Sequence, residues 1–233
     1  MKHNTNIKVG FVCATHQSVK HRPNGFDLFN NYIQSLYTNC EYPFKLFAFD
    51  NASDDIFKIE NCPDNLSIIR IKDQYIGGIT YTWNEGVKQA MLEDYNVIIV
   101  INDDVILDKT INNFIDAIAT HELRDNAIYG PISNNANCPP QEGNKPHGNI
   151  FEVDVINGFC LGMTRETILS NYYDINNNLF STAHEEKWGH QEVELQQRIL
   201  HSVVVGTCYV HHIKQGGWRD IRKADNKGLL NYE

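Results

Sequence analysis

The chemistry-bearing residues of this 233-residue chain gather where apolar runs end. The most hydrophobic run, VIIVI at 97–101, stops abruptly at Asn102-Asp103-Asp104. Two carboxylates at the end of a buried strand, with no Lys or Arg next to them in sequence, repel each other and call for a cation. Their oxygens suit Mg2+ or Mn2+, ions that can also hold a diphosphate. A solvated turn or helix cap is the other reading of the same residues, with Asp108 just downstream. A second apolar strand, 203–210, ends in His211-His212, and neutral imidazole is a common transition-metal ligand. Glu192 opens a helical stretch after Trp188-Gly189, where a carboxylate either caps the helix or faces a site. Glu192 and Glu194 are two apart and cannot share one helical face, so at most one of them points into a site.

The elements that must position these groups alternate. Residues 7–13 (IKVGFVC), 44–49 (FKLFAF), 66–71 (LSIIRI) and 96–101 read as strands. Between them Phe26, Phe29, Ile33 and Leu36, then Trp83, Val87, Ala90 and Met91, and later Ile111, Phe114, Ile115 and Ile118 recur at helical spacing. Strands separated by helices predict an α/β fold with a mostly parallel, Rossmann-like central sheet flanked by helices. A continuous apolar strand such as 97–101 belongs in its middle, buried on both faces. Ligands of such sheets bind beyond the carboxyl ends of the strands. Three polar clusters fall there: Ala14-Thr15-His16-Gln17, Asp50 to Asp55, and Asn102 to Asp104. From about Tyr129 the alternation breaks down. Residues 131–148 read as a long loop, 151–156 as an antiparallel strand, and 193–200 as a helix. The second half is thus a smaller, partly antiparallel portion completing the same domain.

Composition bounds the function classes. Twenty Lys and Arg against 29 Asp and Glu leave a net charge of −9. That balance excludes a dedicated nucleic-acid binder and a polybasic membrane-surface protein. The longest apolar run is far short of the ~20 residues a membrane helix needs. The polar start, MKHNTN, lacks the apolar centre of a secretion signal. The six scattered cysteines then read as reduced thiols, and a cytoplasmic setting is expected, in a bacterium or a virus-infected cell.

In order along the chain, six segments resemble those of family 2 glycosyltransferases with the GT-A fold, especially the rhamnosyltransferase-like members. FAFDNASDD (47–55) resembles the family's apolar strand with its Asp-Asn-Ala-Ser-x-Asp. GGITYTWNEGVKQA (77–90) resembles its Gly-Gly segment and Asn-x-Gly helix, and VIIVINDDV (97–105) the strand bearing Asp-x-Asp. VINGFCLGMTRETI (155–168) resembles the acceptor-side strand and Arg-bearing helix, WGHQEVELQQRI (188–199) the helix that carries the base, and YVHHIKQGG (209–217) the terminal strand whose His reaches the metal. Two departures stand out: Asn102 replaces the first acid of Asp-x-Asp, and Gln191-Glu192 replaces Glu-Asp.

The resemblance implies one GT-A domain over residues 1–233, with about 1–105 binding the nucleotide-sugar and about 106–233 the acceptor. It implies an inverting transferase that uses Mn2+ or Mg2+ and moves a hexosyl or deoxyhexosyl unit from a nucleotide-diphosphate sugar to a saccharide or glycoconjugate hydroxyl. On that reading Glu192 is the base, and Asp104 with His212 or His211 holds the metal. Ala14, Thr15, His16, Asp50, Asn51, Gly78, Asn84, Asn102 and Asp103 lie along the donor. Trp188, Phe159 and Trp218 offer stacking surface for a sugar, or simply fill the core. Part of the −9 charge is then concentrated at one cleft, offset by a cation. A non-catalytic nucleotide-sugar-binding module is the alternative. A nucleotidyltransferase fits less well, because residues 14–20 (ATHQSVK) lack the Gly-rich phosphate loop of that class. With no anchor or added domain expected, the acceptor is met in solution or through a partner, and the oligomeric state is left open.

Overall fold

The computed structural model describes residues 6–20, 22–55, 57, 63–71, 78–182 and 190–213. Its first half is built from β1 (Val9–Thr15), α1 (Gly25–Asn39), β2 (Phe44–Asn51), β3 (Leu66–Ile71), α2 (Gly78–Leu92) and β4 (Val97–Asn102). There follow β5 (Val105–Leu107), α3 (Ile111–Thr120), β6 (Ala127–Ser133), β7 (Ile150–Val153), β8 (Cys160–Thr164), α4 (Arg165–Ser170), α5 (His190–Arg198) and β9 (His201–His212). Among the described residues these strands form one nine-stranded sheet in the order β3-β2-β1-β4-β8-β6-β9-β5, with β7 on β9. The expected α/β class is correct. The β3-β2-β1-β4 half is parallel throughout, and β8, β5 and β7 bring the antiparallel pairings.

Alternation along the central strands splits the core into two layers. Phe11, Cys13, Ile99 and Ile101 face α1 and α3, where Phe29, Tyr32, Leu36, Phe114 and Ile118 bury their side chains. Val12, Ile98 and Val100 face the other way, onto Trp83 and Val87 of α2 and Leu195 of α5. Val97 to Ile101 are all buried, as a strand covered on both faces requires. α2 lies very close to β1: a Cβ at Gly86 would sit 2.2 Å from Val12 Cγ1, so only glycine fits.

Register carries the functional groups to one edge. Thr15 pairs with Asp50 and Ala14 with Asn102, so the ends of β1, β2 and β4 are level. β5 starts immediately after the acidic turn and runs antiparallel to β9, which places Val105 opposite His212. The Ile213 N–H donates to Asp104 O at 2.8 Å and continues that ladder. Thus the last strand delivers its terminal histidine to a turn more than a hundred residues earlier.

Two sequence expectations are corrected here. β6 continues through Ser133, where a loop from 131 was expected; Pro131 sits at the irregularity where the β6–β9 register shifts, the kind of place a strand tolerates proline. β9 begins at His201 and extends through His212. No helix among the described residues is long and apolar enough to cross a membrane.

Candidate active site

The acidic turn is not the uncompensated pair its sequence suggests. Asp103 is 6% exposed and gripped by the Arg22 guanidinium in a fork, Nη1 to Oδ2 at 2.7 Å and Nη2 to Oδ1 at 2.6 Å. Arg22 comes from the loop after β1 and also donates to His16 O at 2.8 Å. Burial opposes its charge, but Asp103 more than offsets this and holds the guanidinium firmly protonated. Nothing near Asp103 in sequence signals that partner, and arginine's planar fork is the one side chain that matches a carboxylate in this way.

Asp104 is also 6% exposed, but its surroundings differ. Its Oδ1 accepts no hydrogen bond among the described residues, while His212 Nε2 lies 3.3 Å away. The other ring nitrogen, His212 Nδ1, lies 3.0 Å from Asn135 O. A carbonyl can only accept, so Nδ1 carries a proton, which leaves Nε2 as the ring nitrogen that faces Asp104. With Nε2 unprotonated, that nitrogen and Asp104 Oδ1, 3.3 Å apart, would make a fitting pair of ligands for a divalent cation. Among the described residues no group of three or more His, Cys, Asp or Glu side chains is arranged to hold a metal. A cation here would draw its other ligands from solvent or a bound phosphate, as Mg2+ commonly does.

The histidine is held from several sides. The Asn134 carboxamide accepts from His212 N–H at 2.8 Å, and Asn134 and Asn135 amides donate to His212 O at 3.1 and 3.0 Å. Phe159 stacks on the imidazole, centroids 5.1 Å apart. These asparagines escaped sequence reasoning because they sit in a loop rich in Asn, where no one residue stands out. His211, by alternation, lies on the other face; it is exposed and its Nδ1 lies 3.3 Å from Tyr209 OH.

The loops after β1 and β2 are laced together beside this turn. His16 Nδ1 donates to Asn51 O at 2.7 Å, and Gln17 N–H to Ser53 Oγ at 2.8 Å. Asp50, 1% exposed, accepts from Ser53 N–H at 3.2 Å and lies 3.6 Å from Arg70. Here too an arginine distant in sequence offsets an acid, so the cleft is less acidic than composition suggests. Thr15 Oγ1, Asn51 Oδ1 and Asn102 Oδ1 are buried without a hydrogen-bond partner among the described residues. Buried polar atoms normally find partners; alternation puts Asn51 and Asn102 on the α2 side of the sheet and Thr15 on the α1 side, so unmet acceptors lie on both faces of the strand ends.

Glu192 lies in the first turn of α5. Its carboxylate packs on Gly158, where a Cβ would come within 2.9 Å of Oε1. Oε2 is buried with no hydrogen-bond partner among the described residues, and burial raises the pKa above the usual glutamate value. Gln196, one turn on, anchors this helix: its Nε2 donates to Ile156 O at 3.0 Å and its Oε1 accepts from Ile156 N–H at 2.7 Å. Glu194 is instead paired with Arg198 at 2.6 Å. The segment Gly158-Phe159 joins both sides of the site. Gly158 touches Glu192, Phe159 stacks on His212, and Phe159 O accepts from Asn102 N–H at 2.9 Å.

Other sequence candidates have different placements. Asn84 accepts from Leu179 N–H and Phe180 N–H at 2.9 and 2.8 Å and donates to Phe180 O at 3.0 Å, so it anchors a loop and is not free for a ligand. Phe159 is 1% exposed and supports His212, leaving no open ring for a sugar. Ala14 lies level with Asn102, and Gly78 is the first residue of α2. Gly77, Trp188 and Trp218 lie outside the described residues.

The architecture is that of GT-A-like glycosyltransferases. Solved structures similar to it include Staphylococcus aureus TarS residues 1–349, a family 2 glycosyltransferase, in complex with UDP. That structure aligns with a TM-score of 0.56 at 15% identity, over 97% of this chain and 67% of TarS 1–349. The TarS complex with UDP-GlcNAc aligns with a TM-score of 0.57 at 14% identity, over 97% and 68%. No protein-family model matches the sequence, and no curated protein matches it at the sequence level. The likeness is one of fold.

Proposed function

We propose that this chain is an inverting, divalent-metal-dependent glycosyltransferase that moves a hexosyl or deoxyhexosyl unit from a nucleotide-diphosphate sugar to a saccharide or glycoconjugate hydroxyl. One observation supports it most: Asp104 and His212 face each other at the carboxyl ends of the central strands, while the buried carboxylate of Glu192 stands across Gly158-Phe159. UDP-sugars are the first donors to consider, because the TarS structures hold UDP and UDP-GlcNAc.

On this reading Thr15, Asn51 and Asn102 offer their unpartnered oxygens to the nucleoside, with Ala14, His16 and Asp50 shaping its walls. Asp104 and His212 would hold Mn2+ or Mg2+, which when bound offsets the charge growing on the departing diphosphate. Glu192 Oε2 takes the proton of the acceptor hydroxyl. The acceptor oxygen then bonds the anomeric carbon as the bond from that carbon to the diphosphate breaks, and the electron pair leaves with the nucleoside diphosphate. One base and one displacement invert the anomeric centre. Because burial destabilises the charged form of Glu192, its carboxylate is a stronger base than an exposed one. Donor contacts come mainly from about residues 1–105 and acceptor contacts from 106–233, with His212 crossing over to complete the cation pair.

The test is nucleotide release from a panel of nucleotide-sugars with Mn2+ or with EDTA, in wild type and Glu192→Gln. Release should require the metal and fall by ~10²–10⁴-fold in the variant. Donor binding with no turnover over many acceptors would favour the binding-module alternative. Full activity in Glu192→Gln sinks the assigned base.

A further inference from the structure

The Arg22–Asp103 pair takes no part in the proton transfer or the cation pair above, yet it is among the most buried ionic contacts in the site. Both residues are under 10% exposed, and they stand 81 positions apart in sequence. The fork spends both Asp103 oxygens on Arg22, so this carboxylate is turned toward the β1–α1 loop. Arg22 is itself pinned, its N–H donating to Ser18 O at 2.8 Å and its O accepting from Ser18 N–H at 3.2 Å. Asp104, next in sequence, keeps its Oδ1 without a hydrogen bond among the described residues.

Resting on the glycosyltransferase reading, we propose that Arg22 sets nucleoside-diphosphate affinity by cancelling the charge of Asp103 in place, so that Asp104 alone presents a net negative charge to the cation. With Arg22 in place, a divalent cation beside the turn leaves the local charge positive, and an anionic diphosphate is attracted to it. Without Arg22, both aspartates face the cation, their charges consume its own, and that attraction is lost. In a site shielded from water such a change is felt over several ångströms. The two binding events therefore respond in opposite directions. Removing the guanidinium strengthens binding of the bare cation and weakens binding of the diphosphate. A mere staple, holding the loop in shape, would weaken both together.

Calorimetry with Mn2+ alone, and with UDP in saturating Mn2+, separates these outcomes on wild type, Arg22→Gln and the double variant Arg22→Gln/Asp103→Asn. The single variant should bind Mn2+ more tightly and UDP more weakly, on the order of tenfold. The double variant, which removes both charges, should return UDP affinity toward wild type. Unchanged UDP affinity in Arg22→Gln, a parallel loss of Mn2+ and UDP, or no recovery in the double variant overturns the proposal. Should Arg22→Gln not fold, the double variant decides alone, since near-wild-type UDP affinity supports the proposal and a tenfold loss contradicts it. Wild type that binds no nucleoside diphosphate overturns the glycosyltransferase reading itself, a failure visible before any variant is made.

Discussion

Asp103 and Glu192 are acids at the same end of one sheet, but their surroundings are opposite. Asp103 is answered by a guanidinium through two short hydrogen bonds. The Glu192 carboxylate packs on Gly158, and its Oε2 is buried with no hydrogen-bond partner among the described residues. The first environment pairs a carboxylate with a guanidinium; in the second, burial makes a carboxylate easier to protonate. Acid and base roles are commonly set apart in this way, by environment and not by residue type. The contrast divides the site into a side that holds charge and a side that moves a proton.

The largest test of that division is Glu192→Gln. Turnover should fall by ~10²–10⁴-fold while nucleotide affinity, read by calorimetry, stays within about twofold. Equal losses in both would merge the two sides. Next comes Gly158→Ala, which places a methyl 2.9 Å from Glu192 Oε1. The flexible carboxylate yields at little cost in stability, so kcat should drop by roughly tenfold or more from misplacement of the base. Unaltered kcat would show that this contact does not position Glu192.

A smaller effect is expected in the pH profile. The folded-state pKa of Glu192 is raised by burial, and the base works deprotonated. The acid limb of kcat/KM should therefore lie above the ordinary glutamate value of about 4.3, with activity rising through it. Stability runs the other way. A raised folded pKa means that the stability from this group is complete below the unfolded pKa and is lost as pH rises through the folded one. Glu192→Gln should thus melt higher than wild type at neutral pH, and the gap should close in acid. A gap that widens in acid would contradict the sign. Smallest in function is Asn84→Ala. Loss of its bonds to Leu179 and Phe180 should cost about 1–3 kcal/mol in denaturant unfolding yet leave nucleotide affinity unchanged. A weakened nucleotide would restore Asn84 to the donor site.

Much of the scaffold is legible in sequence because its signals are local. The apolar run at 97–101, the helical stripes of α1 and α3, and the polar ends of β1, β2 and β4 all depend on near neighbours. β5 is too short, at three residues, to carry a period, and β6 is masked by Gly130 and Pro131. The chemistry-bearing acids were also legible, as residues placed at strand ends. What compensates them was not. Arg22 reaches Asp103 and Arg70 reaches Asp50 only through the fold, and Asn135 fixes the His212 tautomer with a backbone carbonyl that any residue possesses. The choice between His211 and His212 likewise rests on the register of β9 against β5. Asn84 shows the opposite failure: a residue in a donor-like motif whose amide is committed to backbone.

The division of labour between the two sides meets its most direct test in one titration. UDP is added, with Mn2+ and without it, to wild type, Asp104→Asn and Glu192→Gln, and affinity is read by calorimetry. The account predicts that Glu192→Gln binds like wild type and that Asp104→Asn loses the Mn2+-dependent part of binding. Retained Mn2+-dependent binding in Asp104→Asn, or an equal loss in both variants, would contradict it.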